Sequence, residues 1–137
     1  MDLVLVCGAV LYRDGRILLG RRSPNRLSYP GVWDLPGGHC EAGEPPDQAI
    51  ARELREEIRV TPVALALLAA VHLPGSTTET VEYVVYLVAK WVGEPHNLLP
   101  AEHDDLAWFG VDEASALALA SPRYPELFRQ AEHTAWR

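Results

Sequence analysis

The sequence predicts a mixed fold of strands and helices, α/β in class, and three observations carry that expectation. Apolar runs rich in β-branched residues stand at Leu3 to Tyr12, Ile17 to Gly20 and Val81 to Trp91, a composition that suits strands. Asp14-Gly15 sits between the first two runs, a short-range signal for a hairpin turn. Ile50, Leu54 and Ile58 stand at helical spacing in the last part of Gly38 to Val60, and Tyr124 to Trp136 reads as a closing helix. A chain of 137 residues is long enough for a real core, and 1–137 is expected to form a single domain.

Composition narrows the function. Hydrophobic residues make up 48% of the chain, ordinary for a soluble protein, and no apolar run approaches the roughly 18 residues of a membrane helix. Met1-Asp2-Leu3-Val4 lacks the basic start of a secretory signal, so a cytoplasmic protein without membrane contact is expected. The net charge of −7, with no basic stripe, excludes a nucleic-acid polymer as the natural partner. A small anionic ligand stays open if a metal and a few arginines meet it locally. Cys7 and Cys40 are too few for a disulfide framework, and the five histidines show no zinc-binding spacing.

In chain order, the first hairpin ends at Arg21 and Arg22, which are either solvated charge or a phosphate-capturing fork. Ser23 to Val32 is a loop holding Pro24, Asn25, Pro30 and Gly31. Trp33-Asp34-Leu35 leads into the Gly-rich turn Leu35-Pro36-Gly37-Gly38, where backbone can approach a ligand closely. Tyr29 and Trp33 are candidates either for a base-binding wall or for core packing. After the helix, Thr61-Pro62 ends the helical region, Val63 to His72 reads as a strand, and Gly75 to Thr80 as a polar loop. Gly93 to Asn97 breaks the Val81 to Trp91 strand. Leu98 to Asp105 is a second loop, Leu106 to Phe109 a short strand, and Asp112 an N-cap for a helix from Glu113 to Ala120.

The densest chemistry lies in Gly38 to Val60. On a helix, Glu56 and Glu57 fall about 60° to one side and about 40° to the other of Glu53, so three carboxylates share one face. Ile50, Leu54 and Ile58 form an apolar stripe beside them, and Arg52, Arg55 and Arg59 a basic flank. Like charges at that spacing repel. A hard cation such as Mg²⁺ or Mn²⁺ removes the repulsion, while the bland alternative is a solvated helix face. Pro45-Pro46 and the acids around them suit a helix start.

Together these residues spell G-x5-E-x7-R-E-L-x-E-E-x-x-V, with Gly38, Glu44, Arg52, Glu53, Leu54, Glu56, Glu57 and Val60 at the fixed positions. The pattern resembles the Nudix box, the signature of hydrolases that cleave a nucleoside diphosphate linked to another group. The resemblance implies a Nudix fold, an α/β/α sandwich around a mixed β-sheet, which the element order fits without deriving. It implies Mg²⁺ (or Mn²⁺) held by Glu53, Glu56 and Glu57, with the Gly37 carbonyl as a further ligand. Arg52 would orient these carboxylates, Glu44 would support it, and Glu102 would serve as an acid from outside the box, preferred over Asp104 and Asp105. The MutT-like branch has an arginine pair at Arg21-Arg22, and the second member, Arg22, is the expected substrate contact. One position departs from the pattern: Arg59 stands where relatives carry Gly, so a left-handed helix end is expected there.

The short chain, the arginine pair and Trp91-Val-Gly-Glu-Pro also resemble MutT-like enzymes, which convert a nucleoside triphosphate to monophosphate and pyrophosphate. Asn97-Leu98-Leu99-Pro100 is close to an Asn-x-Glu-Pro loop of some relatives but has Leu99 in place of the acid. ADP-ribose, dinucleoside polyphosphates and nucleotide sugars stay open as substrates, as does a non-catalytic sensor module, although sensors usually lose box acids. Relatives often dimerise, so a homodimer is expected by resemblance alone.

Overall fold

The computed structural model describes residues 2–27, 29–74 and 79–135. Strand β1 (Asp2–Arg13) is the spine. Its end turns at Asp14-Gly15, both at positive φ, into β2 (Arg16–Arg22), as the Asp-Gly signal predicts. Two short strands follow, β3 (Trp33–Asp34) and β4 (Gly37–His39), and then helix α1 (Pro46–Ile58). The chain continues through β5 (Thr61–Pro62), β6 (Ala66–Pro74), β7 (Glu79–Val88), β8 (Trp91–Val92) and β9 (His103–Gly110). It closes with α2 (Val111–Ser115) and α3 (Tyr124–Ala135).

The sheet is mixed. β1 runs parallel to β7 from Asp2↔Glu79 to Leu11↔Val88, whereas β4, β2 and the β6–β7 pairing are antiparallel. β2 also pairs antiparallel with β3 and β9. A β1–β7 parallel pair needs a long crossover, and α1 lies within it. Alternation along the strands sends side chains to opposite faces. Cys7, Ala9, Leu11 and Leu18 pack under Ile50, Leu54 and Ile58 of α1. Val10, Ile17 and Leu19 pack on the other side against Leu127, Phe128 and Ala131 of α3. The result is helices on both faces of a mixed sheet, the α/β/α sandwich that the resemblance implied.

Several expected boundaries shift. Thr61-Pro62 does more than end the helix: it pairs with Trp91-Val92 as a separate ribbon, so Trp91 does not continue β7. His103 to Asp105, expected in a loop, already belong to β9, because they ladder with Arg21 and Arg22 across a bulge. Asp112 is not an N-cap. Helix α2 starts at Val111, two residues before the expected Glu113, and ends at Ser115 rather than Ala120, with Gly110 as the cap and the Glu113 carboxylate accepting from its N–H. Of the Gly75 to Thr80 loop, 75–78 lie outside the described residues, and Glu79 and Thr80 belong to β7. Trp136 also lies outside them. Among the described residues no helix is long and apolar enough to cross a membrane.

Candidate active site

Helix α1 supplies the site, and its ends are fixed locally. Pro46 opens it, where a missing N–H costs nothing, and Asp47 complements the dipole in the first turn. At the other end Arg59 adopts φ 60°, ψ 37°, the left-handed closure expected there, and its N–H and that of Val60 reach back to Arg55 and Leu54. Two late carbonyls are closed by the 96–98 loop: His96 donates to Ile58 at 3.0 Å and Leu98 to Glu57 at 2.9 Å. The helix face that carries the glutamates is therefore held from both ends.

Arg52 ties the acids together. Its Nε and Nη2 donate to the two oxygens of Glu44 at 2.8 and 2.9 Å, a bidentate pair, and Nη1 donates to Glu53 and Glu56 at 3.1 Å each. Nη2 also reaches the carbonyl of His39 at 3.1 Å, which locks the helix to β4. The arginine holds the Glu44 carboxyl down to about 2. Glu56 is the most exposed of the three helix acids, whereas Glu57 is buried at 7%.

The turn at β4 completes this wall. Gly37 sits at φ 152°, and a Cβ there would stand 2.1 Å from the Cys7 carbonyl, so glycine is required. Gly38 leaves room for the Glu53 carboxyl, 2.8 Å from where its Cβ would be. Gly37 faces Gly8 between the hydrogen-bonded pairs of the β1–β4 ladder, so its polar groups turn away from β1. Its N–H donates to Glu57 at 2.9 Å.

Glu53, Glu57, Gly37 and Glu102 all line one cavity of about 480 Å³. Burial pushes the Glu57 carboxyl up to about 8, against the Gly37 hydrogen bond, and Glu53 and Glu102 push it further in that direction. Burial likewise raises Glu53, against the pull of Arg52. Glu53 and Glu57, which face one cavity and resist ionisation, are carboxyls that a divalent cation would stabilise, and the donors are all oxygens, which suits a hard ion. Among the described residues, no three acidic, histidine or cysteine side chains already converge on one point. Arg52 accounts for part of this, since it holds Glu53 and Glu56 to itself.

The same cavity is also lined by cationic side chains. Arg22 donates from Nε to the Tyr29 carbonyl at 3.1 Å and lies 3.5 Å from Asp34. Arg26 and His103 line the same cavity. Burial and then Arg26 hold the His103 ring below its usual range. In the same cavity Asp34 receives the Tyr124 hydroxyl at 2.5 Å and the Leu35 N–H at 2.8 Å, and the Tyr124 hydroxyl meets that of Tyr83 at 2.9 Å. Burial raises the Asp34 carboxyl against these bonds and the two arginines.

The sequence matches the NUDIX domain over residues 2–131. The chain belongs to the Nudix family. This Nudix hydrolase is 34% identical over 128 residues to the CTP pyrophosphohydrolase of Escherichia coli (strain K12), covering 93% of this chain and 90% of that protein. It is 32% identical over 91 residues to the 8-oxo-dGTP diphosphatase of Haemophilus influenzae, covering 66% of this chain and 65% of that protein. Among solved structures, a MutT NUDIX hydrolase from Burkholderia pseudomallei superposes with a TM-score of 0.82 at 33% identity, covering 95% of this chain and 98% of that one.

The residues singled out in the sequence of this Nudix chain divide into three groups. Glu53, Glu57, Gly37, Glu102, Arg22 and Tyr29 line the cavity. Glu44, Arg52 and Glu56 form the pair network behind it. Trp33 is elsewhere: it packs edge to face on Phe109 at 4.9 Å, with the Arg21 guanidinium over its ring, so of its two readings the structure supports packing. Asp104 pairs with Arg21 at 2.7 Å and Asp105 caps its own strand at Leu106, whereas Glu102 lines the cavity. Sequence reasoning missed Arg26, Asp34, His103 and Tyr124. They come from four separate segments, and no spacing in the chain signals their meeting.

Proposed function

We propose that this Nudix hydrolase converts a nucleoside triphosphate and water to a nucleoside monophosphate and pyrophosphate, with Mg²⁺ or Mn²⁺ as its cofactor. The observation that carries the reading is one cavity lined both by the carboxyl groups of Glu53, Glu57 and Glu102 and by the guanidinium groups of Arg22 and Arg26. A triphosphate with a bound cation presents the complementary pattern. The E. coli and H. influenzae relatives are named for CTP and 8-oxo-dGTP, which favours triphosphates over other diphosphate compounds.

Glu53, Glu56 and Glu57, with the Gly37 carbonyl, are the groups that would hold the cation. When bound, such an ion lowers the pKa of water and offsets charge developing on phosphate oxygens. Arg52 keeps Glu53 and Glu56 oriented, and Glu44 keeps Arg52 in place. Glu102 approaches from outside the helix and is suited to complete the ligand set or to accept the proton of the attacking water. Arg22 holds a phosphate oxygen away from the reacting centre, and Tyr29, exposed at the rim, offers a ring face to the base. A panel of triphosphates, ADP-ribose, dinucleoside polyphosphates and nucleotide sugars, assayed with each metal and with chelator, tests the reading. Cleavage of triphosphates to monophosphates that requires metal is expected. Turnover in excess chelator, or cleavage of the other compounds alone, would contradict it.

A further inference from the structure

Glu102 reaches the cavity from a segment far from α1 in sequence, and the loop before it is tied to both. His96 and Leu98 donate their N–H groups to the last carbonyls of the helix, those of Ile58 at 3.0 Å and of Glu57 itself at 2.9 Å. Asn97 stands between them and is half-buried. Its Oδ1 accepts the Leu99 N–H at 3.2 Å, and its Nδ2 donates to the His103 carbonyl at 2.7 Å. These two partners fix the orientation of the amide, since an N–H needs the oxygen and a carbonyl needs the nitrogen. Between them lies a tight turn, in which the Leu99 carbonyl accepts from Glu102 at 2.9 Å and from His103 at 3.1 Å. One side-chain amide therefore clasps both ends of the turn that carries Glu102. The Ser23 N–H, which donates to the Glu102 carbonyl at 2.9 Å, ties the same turn to the loop after β2. Asn97, His103, Glu57 and Ile58 all line one small space, so the clasp and the end of α1 adjoin.

The place of this turn bears on the carboxylates of α1. Glu102 is near enough to disfavour ionisation of both Glu53 and Glu57, and all three line the one cavity. Glu102 is itself exposed, so burial does little to hold it, and the backbone of the turn sets where its carboxyl stands. Asn97 bonds that backbone at both ends while its two neighbours dock on α1. We infer that Asn97 is a positioning residue: its amide closes the 99–103 turn beside the end of α1 and so sets where the Glu102 carboxyl stands relative to Glu53 and Glu57. The inference rests on the proposed hydrolase reading for its catalytic consequence, whereas the state of the turn is measurable without metal or substrate.

Asn97→Ala removes both bonds. Asn97→Asp keeps an acceptor for Leu99 but sets an oxygen against the His103 carbonyl, so it tests the donor bond at constant size. In the metal-free whole protein, amide exchange followed by NMR should speed up by about tenfold or more at Glu102 and His103 in both variants, while Leu98, bonded to Glu57, stays protected. With the best triphosphate, each variant should lower kcat by about tenfold or more and leave KM within about threefold, because a misplaced acid slows the reaction while phosphate contacts remain. Combination with Glu102→Gln separates positioning from general damage. In that background either Asn97 change should lower kcat by less than about twofold further, since the group it positions is already gone. An equal loss in both backgrounds would overturn the inference. So would wild-type exchange and kinetics in Asn97→Asp, or faster exchange at Glu102 and His103 with an unchanged kcat. If exchange responds as expected while no triphosphate is hydrolysed, the clasp on the turn stands and the hydrolase reading falls.

Discussion

Replacing Arg59 isolates one backbone effect. The residue holds φ 60°, ψ 37° at the end of α1, and its side chain is exposed, so truncation loses little packing. A non-glycine residue in that region bears about 1–2 kcal/mol of strain. Glycine removes the strain but adds roughly 0.5–1 kcal/mol of freedom to the unfolded chain. Loss of a cation near the helix C-terminus costs a few tenths of a kcal/mol more. Arg59→Gly should therefore stabilise by about 0.5 kcal/mol, whereas Arg59→Ala keeps the strain, loses the charge and should be slightly destabilising. The gap between the two variants, about 1 kcal/mol in favour of Gly, corresponds to roughly 2–5 °C in Tm for a chain of this size. Thermal melts of both variants in one buffer give the answer. A lower Tm for Gly than for Ala would refute the reasoning, since that is the order expected in an ordinary helix interior. Catalysis in both should stay within a few-fold of wild type, because Arg52 and Gly37 hold the carboxylates from the preceding turns and from β4.

Glu57→Gln should lower kcat by about a thousandfold or more while leaving the metal-free melting temperature equal or higher, since the carboxyl it replaces is buried and resists ionisation; near wild-type turnover would make the helix acids structural. Arg22→Ala should raise KM by about tenfold with a smaller change in kcat, as expected for uniform phosphate binding, and an unchanged KM for the best substrate would remove Arg22 from the site. Arg52→Lys should lower kcat by about tenfold, because a point charge cannot hold both oxygens of Glu44 and also reach Glu53 and Glu56; steady-state kinetics beside circular dichroism would separate this from unfolding.

The helix and its chemistry were legible because they are local. Glu53, Glu56 and Glu57 share a face by arithmetic, Pro46 and Asp47 mark the start, and the departure at Arg59 pointed to the left-handed closure the backbone adopts. The β1–β2 hairpin was legible for the same reason, through Asp14-Gly15. What failed depended on distant partners. The ribbon between Thr61-Pro62 and Trp91-Val92 is two residues long on each side and leaves no periodic trace. His103 to Asp105 read as loop because they are polar, yet β2 recruits them into a ladder. Trp33 was assigned by type to two roles, and only the position of Phe109 distinguishes them. Arg26, Asp34, His103 and Tyr124 acquire meaning from one cavity that no stretch of sequence contains.

The product of triphosphate cleavage tests the central claim most directly. CTP, dCTP and 8-oxo-dGTP should each be incubated with the protein and Mg²⁺ or Mn²⁺, and free phosphate read before and after adding inorganic pyrophosphatase. The account predicts, for at least one of them, a phosphate signal that appears only after pyrophosphatase, with nucleoside monophosphate in equal amount, and its loss in Glu57→Gln. Phosphate released without pyrophosphatase, together with nucleoside diphosphate, or no release from any of the three with either metal, would contradict it.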